Sequence, residues 1–271
     1  MWLLAPLRLV YRVGRRFTDE RCAQTAAALS FATLLALVPM IAVAVALISH
    51  FPFGAELGGA LQKFLLTNLL PEKAGLVIAK YVGQFAHRTE RITLIGMFAL
   101  GVTALMQMLT IEHAFNAIWK IRTLRPLVRR VFMHSLALLL GPLLFGSSLL
   151  AITYLASASM GLLNEPPWVA ALVGKGLSFV VTTALFGLLY WGVPNKPILR
   201  DHAIFGGAVA ALGFVGLQQL FALYVIKLPN FTVLYGGFSA IPVFLAWIYA
   251  SWGVILIGAL IVAELPRAGK A

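Results

Sequence analysis

Six apolar runs divide the chain, at residues 26–48, 92–111, 131–155, 168–191, 203–226 and 238–263. Each is close to or above the ~20 residues that carry a helix across a hydrocarbon core. None alternates apolar and polar positions with a period of two, as the strands of a membrane barrel do. Backbone polar groups in lipid must be satisfied within the segment, which leaves helix as the expected state. The predicted fold class is all-α, a polytopic membrane bundle of six transmembrane helices in which 1–271 form a single domain.

Two segments outside these runs carry amphipathic patterns. In 1–25, Leu3, Leu7, Val10 and Phe17 fall near one helical face, and Arg8, Arg12, Arg15 and Arg16 fall on another. This predicts a basic interfacial helix on the inner leaflet; a solvated basic tail is the alternative. No positive residue precedes its short apolar stretch, so it does not read as a signal peptide. In 50–91, Leu57, Leu61, Phe64, Leu65 and Asn68 follow helical spacing, and so do Ile78, Tyr81, Val82 and Phe85. Pro71 suits the start of the second stretch. Two amphipathic outer-loop helices, periplasmic and too polar to span, are expected here.

Composition agrees with a membrane setting. Of 271 residues 61% are hydrophobic and 11% charged, against roughly 25% charged in average globular domains. The mean hydropathy is +0.93, so an ordinary soluble enzyme is excluded. The net charge of +12 then reads as anionic headgroup contact and orientation rather than nucleic-acid binding. The basic stretch 120–130 also lacks the interleaved aromatics that stack bases. With the six runs as spans, fourteen of the 21 Lys and Arg lie on the side of both termini and six on the other, with Lys175 inside the fourth run. The positive-inside rule therefore places the N and C termini in the cytoplasm.

Catalytic chemistry finds no footing. There is no Walker A motif, HExxH or GxSxG. The five histidines lack ligand partners at metal-binding spacing; Glu112 and His113 are adjacent and point about 100° apart on a helix. Cys22, the single cysteine, excludes a disulfide framework. No cofactor, no metal site and no enzymatic activity are expected.

The informative residues are those that are awkward in lipid. Lys175 lies about 10 Å inside the outer end of the fourth run. It either snorkels outward or faces a wet cavity. Gln107, Glu112, Asn116, Gln218 and Gln219 are polar groups near or within helices, suited to inter-helix hydrogen bonds or to a cavity wall. Pro39, Pro142 and Pro242 fall in the first, third and sixth runs. Each removes a backbone donor, a device for exposing carbonyls to cargo or simply a packing kink. Pro39, Asn116, Pro142, Lys175, Gln218 and Pro242 are therefore the candidate cavity or substrate-contacting residues.

Four stretches carry a family resemblance: AAALSFATLLALVPMIAV from Ala26, IEHAFNAIW from Ile111, LGPLLFG from Leu140 and FALYVIKLPNFTVLYGGFSAIPVFLAWIYASWGVILIGA from Phe221. In order and spacing the chain resembles the YihY/BrkB family of bacterial inner-membrane proteins, some of which have carried the label ribonuclease BN. The resemblance implies six spans and a plasma-membrane location, with no settled activity. Its motif maps onto Ala28, Pro39, Asn116, Trp119, Pro142, Tyr235, Gly236, Pro242 and Trp247. Where the family continues Gly-Ala with Glu, Gly258-Ala259 is followed here by Leu260; the nearest acid is Glu264, one turn on and on roughly the same face.

These features point to a transporter or lipid-translocating protein of the cell envelope, with membrane lipids as partners through anionic headgroups at the cytoplasmic face. A non-transporting scaffold in envelope biogenesis is the alternative, with the same features as packing devices. A nuclease would need clustered metal ligands or a positioned acid and base, which the scattered acids do not provide.

Overall fold

A computed structural model describes residues 4–48, 51, 53–64, 94–163, 167–226 and 240–268. The described residues form eight helices and no strand: α1 Leu4–Asp19, α2 Cys22–Ile48, α3 Gly54–Phe64, α4 Leu94–Ile118, α5 Leu127–Leu163, α6 Pro167–Gly192, α7 Arg200–Ile226 and α8 Ala240–Ala268. The described residues of all six apolar runs fall on helices. Among the described residues, four stretches are long and apolar enough to cross a membrane, Phe98–Ile118, Leu127–Ser147, Arg200–Tyr224 and Pro242–Leu265, and Cys22–Leu37 is a shorter apolar stretch.

Two of the three candidate prolines lie inside helices that continue past them. α2 runs on through Pro39 and α5 through Pro142. Pro242 stands in the first turn of α8, where a missing N–H removes no helical hydrogen bond.

The chain divides into two compact units. The first comprises Met1–Leu34, Leu109–Arg125 and Phe179–Ala271. Within it α8 packs on α7 and on α1. Small residues bring the helices close. A Cβ added at Gly207 would lie 2.5 Å from the Thr183 carbonyl oxygen and 2.8 Å from the Gly187 nitrogen, so α6 and α7 meet backbone to backbone. Gly258 leaves room for the Tyr190 hydroxyl, which donates to the Ile255 carbonyl at 2.9 Å. Phe214, Phe221 and Trp247 form an edge-to-face cluster between α7 and α8, with centroids 5.0 and 5.8 Å apart.

The second unit comprises Leu35–Met108 and Pro126–Ser178. Here α3 lies on α5. Leu57 and Phe64, one face of the short helix, are buried. Phe64 meets Phe145 edge-on at 5.2 Å. Leu57 and Leu61 close over Gly146, where a Cβ would sit 2.8 Å from Leu57. The described part of the first amphipathic stretch of 50–91 is thus helical over 11 residues, and its Leu65 and Asn68 lie outside the described residues. The second, with Ile78, Tyr81, Val82 and Phe85, lies outside the described residues.

Candidate functional site

Glu112, Asn116 and Glu264, buried polar groups of the first unit, lie toward ends of α4 and α8 that also meet α1 and the connection after α6. α1 presents three faces. Arg12, Val13 and Arg16 turn toward the protein, Val13 being buried. Val10 and Tyr11 are each 70% exposed, and Arg8, Arg15 and Asp19 form a charged outer edge. The sequence pattern assigned all four arginines to one headgroup-facing side. The structure divides them, because Arg12 and Arg16 find a carboxylate inside the protein.

That carboxylate is Glu264, near the end of α8 and 1% exposed. Arg16 donates from Nη1 to Glu264 Oε1 at 2.8 Å, from Nη2 to the Ile118 carbonyl at 2.7 Å and from Nε to Glu20 Oε1 at 2.8 Å. One guanidinium therefore ties α1 to α8, to the end of α4 and to the turn after α1. The Ile118 oxygen is one of the carbonyls a helix C-terminus leaves without a helical donor. Only the planar fork of arginine, with five donors, serves three acceptors in this way. Arg12 Nε lies 3.6 Å from Glu264 Oε2, and Lys120 Nζ lies 3.7 Å from Glu20 Oε1. The cluster thus holds three cations and two carboxylates. Burial alone would lower the Arg16 pKa; the hydrogen bonds and charges of Glu20 and Glu264 outweigh it and raise the pKa above its ordinary value. Arg12 Nε and Glu20 Oε2 are buried without hydrogen-bond partners.

A second chain of polar contacts adjoins it. Glu112 is 0% exposed and accepts from Asn116 Nδ2 one turn on, at 3.4 Å. Asn116 Oδ1 accepts the backbone N–H of Asn195 at 2.8 Å, and Asn195 Nδ2 donates to the Thr123 carbonyl at 3.0 Å. Arg125 Nη2 reaches the Pro194 carbonyl at 3.4 Å. These bonds stitch the connection after α4 to the connection after α6. α4 itself ends in a left-handed cap. Lys120 has φ 56°, and Ile121 N–H returns to the Asn116 carbonyl at 2.9 Å. Phe115, fully buried, stacks between Trp119 and Tyr190.

Of the six residues singled out from sequence, Asn116, Gln218 and Pro242 lie in this unit, and Pro39, Pro142 and Lys175 in the other. Asn116 is buried at the polar cluster. Gln218 is half-buried on α7, about 27 Å of helix beyond Arg200, so the structure does not bring it to Asn116. Pro242 is exposed, Pro39 buried, Pro142 half-buried and Lys175 exposed. Sequence reasoning missed Arg12 and Arg16 as partners of Glu264, and Glu20 as a partner of Arg16. Their signal was the i, i+4, i+8 spacing that puts all three on one helical face, in a chain with only nine acidic residues. Among the described residues, no three His, Cys, Asp or Glu side chains form a metal-ligand set.

A family model described as virulence factor BrkB matches residues 13–271, which include every residue of these clusters except Arg12. The chain belongs to the BrkB family. BrkB-family relatives described as UPF0761 membrane proteins are 47% identical over 93% of the chain in Aromatoleum aromaticum, 45% over 97% in an Azoarcus species and 40% over 97% in Nitrosospira multiformis. The chain spans 62 to 65% of the length of these curated relatives. No solved structure matches it. In this BrkB-family membrane protein the stretch from Ile111 to Trp119 supplies Glu112, Phe115 and Asn116 to the buried cluster. Leu260, where the resemblance led to the expectation of a glutamate, is fully buried, and so is Glu264 one turn on. Tyr235 and Gly236 lie outside the described residues.

Proposed function

We propose that the protein is a transporter or lipid translocator of the bacterial inner membrane, crossing it six times with both termini in the cytoplasm. The observation that carries this reading is Glu112. It is an acid with no exposed surface, set about 9 Å inside the end of the apolar stretch Phe98–Ile118. Ionisable groups within membrane helices are expensive and mark substrate or ion paths. The surplus of Lys and Arg on the inner side suits an anionic lipid or lipid-linked intermediate as cargo. The reading assigns the chain lipid partners, no nucleic acid and no catalytic step.

The test is reconstitution of the full chain in liposomes carrying fluorescent phosphatidylglycerol, with dithionite added outside. Accelerated loss of inner-leaflet fluorescence is expected, and Glu112→Gln should abolish it while the protein still inserts. Fluorescence loss no faster than in protein-free liposomes would sink the proposal for this lipid class. One observation favours the scaffold reading instead: Arg16 is engaged by three acceptors, an arrangement that suits permanent packing.

A further inference from the structure

We propose that α1 is a strap held down by anionic lipid, whose phosphates meet Arg8 and Arg15, and that this contact sets how firmly Arg16 pins α8. The proposal deepens the lipid partnership of the reading above and does not depend on transport.

α1 lies where apolar stretches stop. One of them begins at Cys22, just beyond Asp19 at the end of α1. Another ends at Ile118, whose carbonyl accepts from Arg16, and a third ends at Leu265, next to Glu264. At the ends of such stretches hydrocarbon gives way to headgroups. A helix packed there lies at the surface of the leaflet.

The outer side of α1 fits that place. Around the helix Val10 and Gly14 stand on one side, Arg8 and Arg15 on another, and Tyr11 between them. All five are exposed. An apolar arc, an aromatic hydroxyl at its rim and arginines beyond it match the acyl boundary, the headgroup level and the phosphates in turn. Among the described residues no ion pair engages Arg8, and Arg15 meets Asp19 alone, at 3.3 Å with both side chains exposed. An exposed pair of that kind is weak. Both guanidinium groups are therefore open to phosphate, which arginine binds through parallel hydrogen bonds. A second copy of the chain would set arginine against arginine, and a nucleic acid would leave Val10 uncovered.

α1 needs such a hold. Among its described side chains only Val13 is buried, and an element with few buried apolar contacts opens locally with little free energy. The ion pairs of Arg12 and Arg16 with Glu264 come from this same helix. Lipid that binds the docked helix better than the lifted one shifts the balance toward docking, and the Arg16–Glu264 pair goes with it.

The experiment is amide hydrogen exchange of the full chain in nanodiscs of phosphatidylcholine alone and of equal parts phosphatidylcholine and phosphatidylglycerol. With phosphatidylglycerol, amides of α1 and of the turn of α8 around Glu264 should exchange about tenfold more slowly. High salt should shrink the difference. Arg8→Gln combined with Arg15→Gln changes exposed positions only, and that variant should exchange alike in the two lipids. Exchange unaffected by phosphatidylglycerol in the unmodified chain, or an effect that survives in the double variant, overturns the proposal. So does slowing confined to α1, which would leave α8 uncoupled from the lipid. Equal protection by inorganic phosphate in phosphatidylcholine alone would assign the arginines to a free anion and overturns it too. A nanodisc encloses no compartment, so the outcome is read whether or not the chain moves lipid.

Discussion

Arg16 Nη1 lies 2.8 Å from Glu264 Oε1, an ion pair that joins residues 248 positions apart and fastens the first helix to the last. Breaking such a pair on one side leaves the other charge buried and uncompensated, which is destabilising by about 3–5 kcal/mol. Glu264→Ala and Arg16→Ala should each lower the thermal midpoint in detergent by several degrees. Arg16→Met combined with Glu264→Leu should be less destabilising than the sum of the two single changes, because neither charge of the pair is left buried alone, while Arg12, Glu20 and the Ile118 carbonyl still lose a partner. A double variant as unstable as the sum of the singles would show that the two residues are not coupled.

The same pair should hold across the neutral pH range on its arginine side. A group whose folded pKa is raised adds stability that is complete below its unfolded pKa and is lost only as pH rises through the folded value. For Arg16 that window begins above the ordinary arginine range, far from neutral pH. Raising the pH from neutral to mildly alkaline should therefore not increase trypsin cleavage within α1. Cleavage that rises over that interval in step with an arginine-dependent transition would contradict the geometry.

Asn116→Leu should act locally. It leaves the Asn195 N–H without the acceptor it meets at 2.8 Å, and an unsatisfied buried donor is unfavourable by about 1–3 kcal/mol. Amide exchange at Asn195 and in the 119–126 connection should quicken, while exchange in α7 stays as it was. Unchanged exchange at Asn195 would argue that the bond carries no weight.

Glycine positions should respond in opposite senses. Gly207→Ala forces a methyl group against the backbone of α6 at Thr183 and Gly187, and overpacking of this kind is unfavourable by about 1–3 kcal/mol or more. Gly101→Ala meets nothing within 4 Å and should stabilise α4 by up to about 1 kcal/mol through helix propensity. Thermal unfolding of the two variants checks the contrast; a Gly207→Ala protein as stable as the parent would place α6 and α7 farther apart.

Reporter fusions test the orientation. Fusions within 120–130 should read as cytoplasmic and fusions within 71–91 as periplasmic, as the excess of Lys and Arg on one side requires. The reverse pattern would invert the proposed topology.

The helices were legible in the sequence because apolar length is a local property. Residues 26–48 or 203–226 read as helix with no knowledge of their neighbours. α3 was legible for the same reason, since Leu57, Leu61 and Phe64 recur at helical spacing whatever they pack on. The arginines of α1 were legible as a basic face but not as partners. Spacing placed Arg12 and Arg16 on one face, yet nothing local says that the acid they meet arrives from the far end of the chain. Glu264 stood out from the sequence only as an acid displaced by one turn from the expected position. Its burial, its two arginines and the Ile118 carbonyl beside it depend on α1, α4 and α8 meeting at one end. Asn116 was marked by its setting, but its bond to Asn195 depends on two connections coming side by side. Helix formation follows from hydrophobic length, which each segment carries alone; the ion pairs and hydrogen bonds follow from which helix ends coincide, and packing decides that.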